Sequence, residues 1–195
     1  MRITGGAMRG RILVGKVGSG VRPTTSRVRE ALFSMVGQDL SGWTVLDAFG
    51  GSGLLGFEAL SRGADSVTVC ERHRGHARQI KASAAALKVS IDLRVSDASA
   101  VMAGGAWDLV LLDPPYDLDP LEWAQRAAAA TRSVLVVEHR PGVEWPEQLG
   151  HLVCDTVRRH GDSALAIFRV GSDASLSVPD EVGNDLGVIE DDRAG

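Results

Sequence analysis

Residues 44–56 read Thr44-Val45-Leu46-Asp47-Ala48-Phe49-Gly50-Gly51-Ser52-Gly53-Leu54-Leu55-Gly56. A short apolar run ends on an acid, and Gly50, Gly51 and Gly53 follow within six residues. An apolar stretch with Leu54, Phe57, Glu58, Ala59 and Leu60 then begins at once. That order is a strand, a turn able to take left-handed backbone, and a helix start, which is the opening unit of a parallel sheet. The alternation continues outward from it. Strand-like runs occupy residues 43–47, 66–71, 91–95, 109–113 and 133–138, and Ala77, Ile80, Ala84 and Leu87 recur at helical spacing. The pattern predicts an α/β fold, a mostly parallel sheet with helices on both faces. Residues 152–158, a Gly161-Asp162 turn and residues 163–170 predict an antiparallel pair at one edge.

Each of the five parallel runs ends in, or within two residues of, a carboxylate: Asp47, Glu71, Asp97, Asp113 and Glu138. In an open α/β sheet the ligand crevice lies beyond the carboxyl ends of the strands, so these acids converge there. Gly51-Ser-Gly53-Leu-Leu-Gly56 matches the dinucleotide fingerprint, and Glu71 falls 20 residues after Gly51, where a ribose-binding acid belongs. A nicotinamide-dependent oxidoreductase is therefore one reading. Against it, Asp47 at the mouth of the loop repels a pyrophosphate and suits an ammonium or sulfonium instead. S-adenosylmethionine carries both. Glu71 would then take its ribose hydroxyls, Gly50, Gly51 and Gly53 would allow close backbone approach, and Asp97 would accept from the adenine amine.

A second stretch carries the chemistry: Trp107-Asp-Leu-Val-Leu-Leu-Asp113-Pro114-Pro115-Tyr116. Proline has no N–H for a sheet ladder and Pro115 biases Pro114 away from helix, so the strand stops there. Asp113 is left at its carboxyl edge before a rigid turn that presents Tyr116. The exocyclic amine of a nucleobase is a poor nucleophile, its lone pair being delocalised into the ring. Asp113 accepting one N–H and the Pro114 carbonyl the other localise that lone pair, and Tyr116 stacks on the unstacked base. An aspartate that merely ends a strand before a Pro-Pro turn is the alternative reading of this stretch.

The chain's 195 residues suffice for one ordinary core and no second large domain. No run approaches the ~18 apolar residues of a membrane span, and Met1-Arg-Ile-Thr-Gly-Gly is no signal peptide, so the expectation is a cytoplasmic protein without membrane contact. Cys70 and Cys154 sit in apolar runs without ligand spacing. The five histidines (His73, His76, His139, His151, His160) are scattered, and no metal is expected.

The net charge of −4 hides a strong asymmetry. Residues 1–30 carry seven basic side chains against Glu30 alone, whereas residues 171–195 carry seven acids against Arg193. Residues 171–195 are polar and aperiodic and are expected to be a disordered tail. The front end predicts a small basic hairpin (residues 2–4 and 10–14 around a Gly-rich turn), a Gly/Ser-rich loop, and a helix with Val28, Ala31, Leu32, Met35 and Val36 on one face. Arg27 and Arg29 fall in that helix's first turns, where the dipole disfavours cations, which points to an anionic partner. Residues 1–40 are thus read as a basic extension that docks an anionic partner, which the resemblance given next implies is RNA, through Arg2, Arg9, Arg11, Lys16, Arg27 and Arg29, and residues 41–170 as the catalytic domain.

Asp47-Ala-Phe-Gly-Gly-Ser-Gly with Asp113-Pro-Pro-Tyr116 resembles the class I methyltransferases that modify exocyclic amines. Arg22-Pro-Thr-Thr-Ser-Arg-Val-Arg-Glu-Ala-Leu-Phe33 narrows the resemblance to the RsmD family, bacterial small-subunit ribosomal RNA guanine-N2 methyltransferases. It runs from about Arg2 to Val170, with Gly50-Gly51 standing where Ala-Gly is commoner. The resemblance implies the Rossmann-like class I methyltransferase fold with seven strands, the last pair being strands six and seven. It implies S-adenosylmethionine as cofactor, with Arg22, Thr24 and Thr25 closing over its methionine end and Phe49, Arg72 and Ala98 completing the cofactor set. It also implies Asp113, Pro114 and Tyr116 as the catalytic group and small-subunit ribosomal RNA, free or in an assembling subunit, as the partner. Glu138 receives no role from it and is read as structural. A DNA adenine or cytosine amine methyltransferase shares Asp-Pro-Pro-Tyr and remains the nearest alternative. A non-catalytic RNA-binding module leaves the cofactor residues unexplained.

Overall fold

The computed structural model describes residues 1–15 and 25–171. Lys16, Arg22, Thr24 and the acidic tail beyond Gly171 lie outside the described residues. The elements follow in the order α1 (Ser26–Val36), β1 (Thr44–Asp47), α2 (Leu54–Ser61), β2 (Ser66–Cys70), α3 (Arg74–Leu87), β3 (Asp92–Arg94), α4 (Ala98–Ala103), β4 (Trp107–Leu112), α5 (Pro120–Ala128), β5 (Thr131–His139), β6 (Gln148–Leu149), β7 (Leu152–His160) and β8 (Ser163–Val170).

They build one sheet in the order β3-β2-β1-β4-β5-β8-β7-β6. β1 to β5 are parallel, and β8 runs antiparallel between β5 and β7. The seven expected strands are joined by an eighth, β6, whose two residues pair with β7 at the outer edge. Alternate strand residues feed two cores. Val45, Leu109, Leu111, Val134 and Val136 pack with α1, α2 and α3, while Leu46, Val110, Leu112, Leu135 and Val137 pack with α4 and α5. α5 was not anticipated, although Asp119 caps it through the Leu121 N–H and Pro120 opens it, a local signal for a helix start.

The front end departs most from expectation. Its hairpin is a single antiparallel bridge, Arg2 to Ile12, supported by Ile3 N–H to Arg11 O (3.0 Å) and Leu13 N–H to Met1 O (3.0 Å). Ile3 and Leu13 enter the core, so the segment is welded to the domain. Its turn packs on Ser61, at the far end of α2, through Ala7 N–H to Ser61 O at 2.7 Å and Met8 N–H to Ser61 Oγ at 2.8 Å. Arg11 reaches Ala86 O near the far end of α3.

One ion group holds these pieces together. Glu58 is fully buried and takes four donors: Thr4 N–H (2.7 Å), Thr4 Oγ1–H (2.9 Å), Arg29 Nε–H (3.2 Å) and the Arg62 guanidinium. Arg62 also lies over the Phe33 ring, 4.2 Å from its centre. Arg29 is 4% exposed and donates a further bond to Arg2 O at 3.0 Å. The anionic partner that the helix dipole called for is Glu58, inside the protein. Arg29 is therefore corrected from an RNA contact to a structural cation.

Candidate active site

Beyond the carboxyl ends of β1, β2, β4 and β5 lies a cavity of about 580 Å³. It is bordered by Phe49, Gly51, Glu71, Arg72, Asp97, Ala98, Asp113, Pro114 and Tyr116, all expected there, by Glu138, expected at this edge without a role, and by His73, His76 and Trp123, which were not expected. The reversal of strand order between β1 and β4 opens this crevice, because their following helices leave to opposite faces.

The glycine loop is held by Glu71. Its Oε2 accepts the Gly51 N–H at 2.8 Å and its Oε1 the His73 N–H at 2.6 Å, with His76 Nδ1 3.7 Å from Oε2. Gly51 (φ 54°) and Gly53 (φ 76°) take the left-handed backbone that brings the loop round into α2. Gly50 has another reason to be glycine. A Cβ there would meet Val69 Cγ1 at 2.5 Å, so its bareness serves packing on β2, and neither Gly50 nor Gly53 borders the cavity.

Asp47 does not border the cavity either. It is 1% exposed, and its Oδ2 accepts the Gly56 N–H at 3.0 Å, tying the strand end to α2. Burial pushes its carboxyl up to about 7, against the Gly56 bond and with the Glu71 charge adding to the rise. The expected direct pairing of Asp47 with a cofactor ammonium is not the arrangement found. Among the described residues, the carboxylates that border the cavity are Glu71, Asp97, Asp113, Asp117 and Glu138, and Arg72 is the guanidinium that borders it with them.

Asp97 caps α4, its Oδ1 accepting both the Ser99 N–H (2.9 Å) and the Ser99 hydroxyl (2.6 Å). The Ser99 hydroxyl and N–H hold its carboxyl below the usual range, so it is a fixed acceptor at neutral pH. Ala98 beside it is buried. Phe49 meets Trp123 edge-on, ring centres 4.9 Å apart, and walls the cavity on the α5 side. Cys70 also borders the space, but burial first and then Asp97, Asp47 and Glu71 push its thiol up to about 11, leaving it inert.

The Asp113-Pro-Pro-Tyr turn behaves as its prolines dictate. β4 ends at Leu112, and Pro114 is buried while Tyr116 stands 36% exposed at the rim. The Tyr116 hydroxyl lies 3.5 Å from Ser163 Oγ, and the Arg140 guanidinium sits 4.5 Å from the ring centre on one face. A carboxylate, a proline carbonyl and an aromatic plate thus share one mouth.

The family described as Conserved hypothetical protein 95 matches residues 1–169. The chain belongs to this family. It is the RsmD family that residues 22–33 resembled. Among its relatives, the Bacillus subtilis protein YlbH, named for rRNA methyltransfer, is 32% identical over 181 residues, 87% of this chain and 98% of that one. Ribosomal RNA small subunit methyltransferase D of Escherichia coli is 40% identical over 126 residues, 63% of each chain. The solved structure of the Escherichia coli methyltransferase yhhF superposes with a TM-score of 0.76 at 31% identity, covering 87% of this chain and 97% of that one. The Rossmann-like methyltransferase fold that the resemblance implied is therefore the fold of this RsmD-family chain.

In this RsmD-family protein the expected RNA contacts separate into two groups. Arg2, Arg9, Arg11 and Arg27 are exposed. However, Arg11 meets α3 at Ala86, ten residues beyond His76 and so about 15 Å of helix away from the cavity. The hairpin sits at the opposite ends of α2 and α3 from the site rather than at its mouth. Among the described residues, exposed Arg72 borders the cavity and exposed Arg140 lies over the Tyr116 ring at its mouth. Thr25 serves as the N-cap of α1, its Oγ1 accepting the Val28 N–H at 3.3 Å. Glu138 is the acid that the sequence reading set aside. Its signal was present, since it completes the series of carboxylates at strand ends. Among the described residues no helix is long and apolar enough to cross a membrane, and no His, Cys, Asp or Glu cluster has metal-site geometry.

Proposed function

We propose that the protein transfers a methyl group from S-adenosylmethionine to the exocyclic N2 amine of a guanine in small-subunit ribosomal RNA. The observation that carries this reading is the acid-lined cavity with Asp113-Pro-Pro-Tyr at its mouth. A dinucleotide's pyrophosphate would face five carboxylates there, whereas a sulfonium and an ammonium meet favourable charge. S-adenosylmethionine is the cofactor that this fold and these residues fit. Glu71 offers its remaining lone pairs to ribose hydroxyls, Asp97 Oδ2 is an acceptor for the adenine amine, and the backbone at Gly51 gives close approach. Bound there, the cofactor supplies an electrophilic methyl on a sulfur that leaves with the bonding pair.

The protein's own contribution is placement. Tyr116, backed by Arg140, holds the base plane, and Asp113 with the Pro114 carbonyl accepts the two amine protons, so the nitrogen lone pair faces the methyl. The proton lost from the amine passes to Asp113 and on to solvent. Orientation of two bound reactants is worth ~7–11 kcal/mol, and the charged hydrogen bond to Asp113 adds ~1.5–3 kcal/mol. RNA relatives carry the rRNA reading: the names of the Escherichia coli and Bacillus subtilis proteins both specify rRNA.

The deciding experiment incubates the purified protein and S-adenosylmethionine with naked small-subunit RNA and, separately, with isolated small subunits, followed by nucleoside mass spectrometry. N2-methylguanosine in either substrate is expected. N6-methyladenosine or N4-methylcytidine in its place would move the protein to the alternative amine chemistry, and tight NAD binding with no response to S-adenosylhomocysteine would sink methyl transfer altogether.

A further inference from the structure

We infer that Glu138 reads the ring nitrogen beside the methylated amine and thereby makes the site selective for guanine, an inference that rests on the amine-methylation reading above. β4 and β5 are parallel neighbours, with Leu111 opposite Val136 and Leu112 opposite Val137. The first of these pairs lies in the α1–α3 core, the second in the α4–α5 core. One residue on, Glu138 continues β5 on the α1–α3 face and Asp113 follows the last residue of β4, where the strands run about 4.8 Å apart. Both acids border the cavity beside Tyr116. Glu138 is 5% exposed, and its backbone is pinned opposite Leu165 of β8, so it is a fixed feature of the cavity wall.

Asp113 and Glu138 each keep an interaction with the surrounding protein, and a carboxylate with about four lone-pair sites holds one partner and still accepts another. The nucleobase amines differ in what adjoins them. Guanine N2 lies next to N1–H, a donor. The adenine and cytosine amines lie next to ring nitrogens that carry lone pairs. Two side-by-side acceptors therefore match the two-donor edge of guanine, with Asp113 on the amine and Glu138 on N1–H. Adenine or cytosine in the same pose would turn a lone pair toward the Glu138 carboxylate, and the two repel.

The test uses RNA in which the guanine methylated by the wild-type protein is replaced by 2-aminopurine. That base keeps the amine but carries a lone pair at N1. The wild-type protein should favour guanine by at least about 100-fold in kcat/KM. Glu138→Gln, whose amide donates to that N1, should narrow the preference to within about tenfold and raise the absolute rate on 2-aminopurine. A loss of packing alone would slow both substrates and leave their ratio unchanged. An unchanged ratio in a variant that still binds S-adenosylhomocysteine overturns the inference. So does a wild-type protein that methylates 2-aminopurine as fast as guanine, a result that needs no variant. A wild-type protein inactive on every guanine instead overturns the function on which the inference rests.

Discussion

Two sets of acids in this molecule have opposite surroundings. At the foot of α2, Glu58 is fully buried and saturated by Thr4, Arg29 and Arg62, and it joins the front segment, α1 and α2 into one body. At the carboxyl edge of the sheet, Glu71, Asp97, Asp113 and Glu138 border an open cavity, with Arg72 as the guanidinium among its described borders. Burial is similar for Glu58 and Glu138, so burial does not separate structural acids from chemical ones. What separates them is whether a space adjoins them. Glu58 meets protein groups on every side and is a fastening, whereas acids that border a cavity can also meet a cationic or donor-rich ligand.

Breaking the fastening should give the largest effect. Glu58→Ala strands Arg29 and Arg62 in the interior, and the loss in urea unfolding should be ~3–5 kcal/mol. Asp47 lies between the two cases, buried but matched by one N–H. Its carboxyl titrates near 4 in the unfolded chain and at about 7 in the folded one, so the folded state holds the proton longer. Its contribution therefore falls as pH rises from about 4 to about 7 and is level above that. Asp47→Asn should remove this slope, with a gain of up to about 4 kcal/mol at pH 8 and none near pH 3 in thermal or urea unfolding. A variant as pH-sensitive as the wild type over that range would show that Asp47 is charged and matched after all.

At the mouth, Tyr116→Ala should cost ~1–3 kcal/mol of base stacking in RNA binding, and Tyr116→Phe far less, because the Ser163 contact at 3.5 Å is long. The smallest change at any one salt concentration should come from the front hairpin. Replacing Arg2, Arg9 and Arg11 together with alanine should flatten the log–log salt dependence of RNA binding by roughly two to three units. Turnover at saturating RNA should be unaffected, since these side chains sit at the far ends of α2 and α3. A loss of turnover with unaltered salt dependence would put them at the site instead.

The sheet and its acid edge were legible in sequence because both rest on local rules. Alternation of apolar runs sets the layers, and Pro114-Pro115 ends β4 wherever the chain folds. Partner choice was less legible. Arg29 declared itself as a cation in need of an anion through the helix dipole, but nothing local said that Glu58, 29 residues on, was that anion. Glu138 looked like no more than the end of a strand, because sharing the cavity wall with Asp113 is a relation between strands. The front hairpin's charge was visible in composition, while its distance from the cavity depends on which ends of α2 and α3 it packs against.

The central claim is that the cavity acids act on the substrate rather than hold the fold. Single-turnover methyl transfer by Asp113→Ala at saturating cofactor, with S-adenosylhomocysteine affinity measured by calorimetry on the same preparation, tests it most directly. The account predicts a rate at least about tenfold lower with cofactor affinity unchanged within about twofold. Cofactor affinity falling in step with the rate would contradict it, and would place Asp113 with Glu58 among the acids that fasten the fold.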